Sequence, residues 1–172
     1  MIIDLSSILK DYAGSMELCE KLELENTDFL GEEFTFPDGL FVNGKITNNT
    51  KSLHLLAKVT GTMMVHCARC MKEISRNVDF EVSEVLVRDD DNSANTDEDV
   101  VVFSGHTVDI DDIIINHFLM NVEAKFLCSE DCKGLCPKCG QDLNVRDCGC
   151  SDDEIDPRWA ALAEIIKNSD TE

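Results

Sequence analysis

This chain is short of basic residues: 15 lysines and arginines stand against 35 aspartates and glutamates, a formal net charge of −20 over 172 residues. Affinity for nucleic acid comes largely from lysine and arginine neutralising phosphates. So acidic a chain is repelled by bare RNA, bare DNA and anionic membranes, and is attracted to basic proteins. The same charge also serves solubility. No stretch approaches the ~18 uninterrupted apolar residues of a membrane span. The opening "MIIDLSSILK" lacks the basic region and apolar run of a secretory signal. A soluble, cytoplasmic protein is expected. Glycine loops that cradle phosphate and the His-Glu pattern of catalytic zinc are also missing, and His54, His66, His106 and His117 form no recognisable triad. These absences argue against a nucleotide enzyme or a hydrolase, and no small-molecule substrate suggests itself.

What the chain does have is cysteine at ligand spacing. Eight of its nine cysteines fall in two clusters: Cys67 and Cys70 in "HCARC", and Cys128, Cys132, Cys136, Cys139, Cys148 and Cys150 in "CSEDCKGLCPKCGQDLNVRDCGC". That is enough for two four-thiolate tetrahedral sites, with Cys19 left alone. A C-x2-C turn brings two sulfurs to one side of a tight loop. In Cys136-Pro137-Lys138-Cys139-Gly140, proline presets φ and glycine accepts the positive φ often needed after the second ligand. Cys67-Ala68-Arg69-Cys70 has neither aid. Without a secretory signal, such pairs read as metal-binding or catalytic rather than as disulfides. Thioredoxin-like chemistry would need the motif at a helix start within a βαβ unit, a context missing here. An iron–sulfur cluster and a thiol redox sensor compete with zinc, and spacing alone does not dismiss them. All-cysteine sets describe closed structural sites, so two structural zinc ions are expected. They would carry the net charge to about −24.

The eight ligands can divide in two ways. Cys136, Cys139, Cys148 and Cys150 form a compact loop able to close on one ion, leaving Cys67 and Cys70 to meet Cys128 and Cys132 over a long range. This division is preferred. The rival is a zinc ribbon joining Cys67 and Cys70 with Cys136 and Cys139. Basic residues gather at both clusters: Arg69, Lys72 and Arg76 flank the first, and Lys125, Lys133, Lys138 and Arg146 accompany the second. Joined by metal, they would form the one less acidic face, a candidate contact for RNA or a partner; Arg69, Lys72, Arg76, Lys133, Lys138 and Arg146 are its leading members.

The periodicity predicts an α+β protein, an antiparallel sheet or small barrel with flanking helices and a C-terminal cysteine-rich zinc segment. Residues 4–24 alternate poorly for a strand and read as helical, with Leu5, Ile8, Leu9 and Tyr12 on one face, an interruption at Gly14, and Leu18 and Leu22 similarly spaced. Between about 40 and 88 the pattern alternates, placing the first knuckle at a hairpin tip. Residues 89–99 carry six acids and no base, a loop without EF-hand spacing. A short strand at Val100–Phe103 precedes a helix capped by Asp109, with Ile110, Ile113, Ile114, Phe118 and Val122 lining one face that His117 shares. Asp156-Pro157 opens a last helix whose stripe is Trp159, Leu162, Ala163 and Ile166. The expected organisation is a core domain over 1–127 with its knuckle at 67–70, a cysteine segment over 128–150, and a helix and tail over 151–172.

The run "CSEDCKGLCPKCGQDLN" followed by "CGC", with "HCARC" upstream, resembles the YceD-like family; "IDLSSIL", "VDIDDII" and "DPRWAAL" support the likeness. These are bacterial and plastid proteins associated with accumulation of large-subunit ribosomal RNA. The resemblance implies a non-enzymatic role in ribosome biogenesis and transfers no catalytic residue. It further implies that the later cysteines are an optional unit, since some members lack them. The expected partner is a basic ribosomal protein or a large-subunit assembly intermediate, with direct RNA contact disfavoured by charge.

Overall fold

The computed structural model describes residues 1–24, 27–29, 31–49, 52–89 and 100–150. The chain divides into two compact units, Met1–Cys128 and Ser129–Glu172. The fold of the first is α+β.

Strand β1 (Ile2–Asp4) is followed by the single-turn helix α1 (Ser6–Leu9), then β2 (Ser15–Leu22), β3 (Thr27–Phe29), β4 (Glu32–Phe34), β5 (Leu40–Asn48), β6 (Leu53–His66), β7 (Glu73–Arg88), β8 (Val100–Phe103), β9 (Thr107–Asp109) and helix α2 (Ile110–Asn121). The main sheet has the order β2-β5-β6-β7-β8. Its pairs are antiparallel except β7 with β8, which run parallel. Among the described residues it stays open, with β2 and β8 as edges, so the small-barrel alternative gives way to a sheet. Two short ribbons, β1 with β9 and β3 with β4, complete the strands among the described residues.

Alternation builds the sheet because successive strand residues point to opposite faces. Leu40, Val42 and Ile46 of β5, Leu53, Leu55, Val59, Met63 and Val65 of β6, and Val78, Phe80, Val82 and Leu86 of β7 are all buried. Register joins them across strands, as Val42 with Val59 and Val59 with Phe80. Helix α2 covers this face through Ile110, Ile113, Ile114 and Phe118, and its start is fixed by Asp109, whose carboxylate accepts the Asp111 N–H at 3.0 Å. The Phe118 ring meets Phe34 and Phe36 edge-on, at centroid distances of 5.6 and 5.3 Å. His117 shares the helix and hydrogen-bonds Glu84 of β7 at 2.6 Å.

The N-terminal expectation needs correcting. Only Ser6–Leu9 is helical, while Ser15–Leu22 is an edge strand. Leu18 and Leu22 are buried and Cys19 between them is exposed. A spacing of four residues places side chains on one face of a strand as well as of a helix, so these two leucines could not distinguish the elements. The acidic run beyond Asp89, and the expected last helix that Asp156-Pro157 opens, lie outside the described residues.

Candidate metal centre

The first knuckle is the tip of the β6–β7 hairpin, whose last pairs are Val65 with Ile74 and His66 with Glu73. Past the ladder, the Cys67 N–H donates to the Lys72 carbonyl at 2.8 Å and the Met71 N–H to the Cys67 carbonyl at 2.9 Å. This closes a loop that presents both thiols to one side, and Met71 takes a φ of 60° to make it. No helix follows Cys70, so the setting of a thioredoxin-type pair is absent at this knuckle.

The stretch that carries Cys128 is held beside this tip. The Ala68 N–H donates to the Phe126 carbonyl at 2.8 Å, and Arg76 Nη2 donates to the Leu127 carbonyl at 2.6 Å. Buried Phe126 anchors the stretch in the core, edge-on to Phe34 at 6.2 Å. Cys70 Sγ and Cys128 Sγ then lie 3.7 Å apart. The sulfurs of Cys67, Cys70, Cys128 and Cys132 all lie within 4.8 Å of one another.

The second knuckle repeats the first, bond for bond. The Cys136 N–H donates to the Gln141 carbonyl at 2.8 Å, and the Gly140 N–H to the Cys136 carbonyl at 2.9 Å. Gly140 supplies a φ of 73°. Cys148 and Cys150 close this set, and the four sulfurs again lie within 4.8 Å of one another. The grouping is thus Cys67/Cys70/Cys128/Cys132 and Cys136/Cys139/Cys148/Cys150; the ribbon pairing of Cys67 and Cys70 with Cys136 and Cys139 is not what the structure assembles.

Both sets suit a divalent ion that accepts four thiolates. A tetrahedron with metal–sulfur arms of about 2.3 Å has edges of about 3.8 Å, which the Cys70–Cys128 separation of 3.7 Å matches. The electrostatics favour ionised sulfur at the entry position of each knuckle. Burial pushes the Cys67 thiol up, but N–H groups of Arg69, Cys70 and Cys128 aimed at it, with the Cys70 thiol, outweigh burial and bring it to about 6. Cys136 is likewise held at about 6 by the N–H groups of Cys139 and Lys138 and by the Cys148 thiol. Cys150 is pushed up to about 12 by hydrogen bonds with the Cys139 and Cys148 thiols, and by burial. Four crowded thiols cannot all ionise unless a cation shares them, so a divalent ion would displace the protons held last. Zinc would take all eight cysteines as ligands and leave no open position.

The basic residues divide by what they hold. Arg69, Lys72 and Lys138 lend backbone groups to the knuckles while their side chains are exposed. Arg76 spends its guanidinium on Leu127, and Arg146 donates through Nε and Nη2 to Gln141 Oε1 at 3.2 and 3.0 Å. Lys133 pairs loosely with Asp147 at 3.9 Å and Lys125 is exposed. Sequence reasoning passed over Asn144, whose Nδ2 donates to Cys132 Sγ at 3.5 Å, and Met71, the counterpart of Gly140. Setting "CARCM" under "CPKCG" would have exposed Met71; the Asp142-x-Asn144 turn was the only signal for Asn144.

A model of the family described as large ribosomal RNA subunit accumulation protein YceD matches residues 55–166, which include all eight clustered cysteines. The chain belongs to the YceD family. A similar protein is the uncharacterized YlbN of Bacillus subtilis, 25% identical over 157 residues that span 91% of each chain. An uncharacterized Mycobacterium tuberculosis protein is 33% identical over 120 residues, 66% of this chain and 58% of its own length. An uncharacterized Mycobacterium leprae protein is 27% identical over 127 residues, 71% and 57% respectively. The chain therefore spans less than two thirds of these mycobacterial relatives. No solved structure matches. Within this YceD chain, no described helix is long and apolar enough to cross a membrane.

Proposed function

We propose that this chain is a non-enzymatic, zinc-binding factor of ribosome biogenesis that supports accumulation of large-subunit ribosomal RNA in the cytoplasm, by contact with a basic ribosomal protein or an assembly intermediate containing one. The family match carries the reading, since its description names large-subunit ribosomal RNA. The donor sets support zinc: two groups of four cysteines, with no histidine or carboxylate among them. Charge supports protein over RNA as the direct contact, because −20 opposes phosphate and favours a basic surface. Two of the basic residues, Arg76 and Arg146, direct their guanidinium groups to acceptors of this chain, the Leu127 carbonyl and Gln141 Oε1. Zinc acts here as a fastener. It ties the Cys128 stretch to the hairpin tip and shapes the 136–150 loop, so that the chain offers fixed surfaces.

The test is recovery of the chain at native expression from a low-salt lysate, with and without nuclease. Basic large-subunit proteins retained after nuclease are the expected result. Complexes that disappear with the RNA would move the contact to Arg69, Lys72, Lys133 and Lys138. Absence of any ribosomal component would overturn the reading.

A further inference from the structure

The side chain of Asn144 has every polar group engaged. Its Oδ1 accepts the Lys133 N–H at 2.8 Å. Its Nδ2 donates to Cys132 Sγ at 3.5 Å and to Asp142 Oδ1 at 2.8 Å, and its backbone N–H donates to the same Asp142 oxygen at 2.8 Å. The orientation of the amide is therefore determined: turned over, it would set NH2 against the Lys133 N–H and oxygen against a carboxylate and a sulfur. The residue is a fixed donor aimed at the Cys132 sulfur.

Its place in the chain matters more. Cys132 belongs to one cysteine set, whereas Asn144 lies in the 140–147 loop, whose ends are Cys139 and Cys148 of the other. That loop runs beside residues 133–135, where the Leu143 N–H donates to the Gly134 carbonyl at 2.9 Å and Leu135 bridges Asp142. A divalent ion held by four thiolates leaves a net charge of −2 on the site, and N–H donors to sulfur spread that charge.

We infer that Asn144 couples the two metal sites: an ion at Cys136/Cys139/Cys148/Cys150 fixes the loop that presents the Asn144 amide to Cys132, raising the affinity of the Cys67/Cys70/Cys128/Cys132 site. The coupling is reciprocal, so an ion in either site strengthens the other. Asn144 is a positioning residue and touches no metal. The inference rests on the reading that both sets hold zinc.

The experiment uses the full chain, zinc alone as ligand, and chelator competition at fixed pH. Wild type is expected to hold two ions. Replacing Cys148→Ser and Cys150→Ser together leaves one, bound about tenfold more weakly than the same site in wild type, the low end for loss of a group that orients a metal ligand. Asn144→Asp keeps an oxygen that accepts from Lys133 but replaces the donor by a second carboxylate oxygen facing Asp142 and Cys132, and weakens that site by at least a similar factor with both ions present. Adding the two serines to Asn144→Asp then costs the first site nothing more. Cadmium NMR gives a second readout that general loosening would not imitate: Asn144→Asp moves the resonance of the Cys132 site and leaves the other in place. Equal first-site affinity with and without the serines, or additive losses, would overturn the coupling while leaving the zinc reading intact. Fewer than two ions in wild type would overturn the zinc reading itself.

Discussion

The two knuckles share one backbone frame and differ in what surrounds it. In each, the first cysteine donates to a carbonyl five residues on at 2.8 Å and accepts from the N–H four residues on at 2.9 Å. The first grows from the 14-residue strand β6 and the 16-residue strand β7, over a core that includes Met63, Val65, Val78 and Phe126. The second is braced by an isolated bridge between Leu135 and Asp142. Its described apolar neighbours are poorly covered, with Val145 77% exposed and Leu135 37% exposed. One turn is imposed by a sheet and decorated with sulfur. The other has little apolar packing beneath it: among the described residues of 129–150 the buried side chains are the cysteines Cys132 and Cys136. Identical local geometry thus has different causes, and metal should matter unequally to the two.

Removing metal is the largest test of that inequality. Structural zinc contributes about 10–16 kcal/mol in small zinc peptides, comparable to or above the stability of a whole domain. Chelation should therefore collapse the amide dispersion of residues 129–150 in NMR spectra while the strands β5, β6 and β7 keep their hydrogen-exchange protection. Loss of the sheet together with the loop would erase the proposed difference. Next in size is Phe126→Ala. Truncating a buried phenylalanine costs about 3–5 kcal/mol, and here it also frees the stretch whose carbonyl holds Ala68, so thermal unfolding of the sheet should drop steeply. Val145→Ala in the other knuckle removes an exposed side chain and should fall within about 0.5 kcal/mol of wild type. Similar costs for the two would mean that the second loop has a core of its own.

The contrast also explains what could be read in the sequence. Strands β5 to β7 were legible because one face of a sheet is buried and the other is not, which writes period two into Leu40, Val42, Val59, Phe80 and Val82. Asp109 was legible as a cap because few residue types satisfy a helix N-terminus. The hairpin position of Cys67 and Cys70 followed from the strands on either side. The edge strand β2 was not legible, since Leu18 and Leu22 share a face in either periodicity. At the candidate sites, spacing named the cysteines because a C-x2-C turn is local chemistry. The bond from Arg76 to Leu127, and the parts played by Phe126 and Asn144, escaped because each acts on a residue distant in sequence, or through one hydrogen bond that leaves no pattern.

Effects far smaller than that of Phe126→Ala lie at the residue after each second cysteine, where both knuckles take a positive φ. A side chain there costs roughly 1–2 kcal/mol. Gly140 has nothing within 4 Å of where a Cβ would stand, so Gly140→Ala isolates the backbone term. It should cost about 1 kcal/mol, read as a several-fold fall in zinc affinity at the Cys136 site. Met71 bears that cost already, at a φ of 60° and with its side chain 61% exposed. Met71→Gly relieves the strain but adds freedom to the unfolded chain, a penalty of about 0.4–1 kcal/mol. The two nearly cancel, and stability should change by less than about 1 kcal/mol in either direction. The side chain that survives at this position is thus tolerated because the hairpin determines the turn regardless of the residue in it. A gain well above 1 kcal/mol from Met71→Gly would show the opposite, a first knuckle under real strain whose geometry depends on metal as much as the second does.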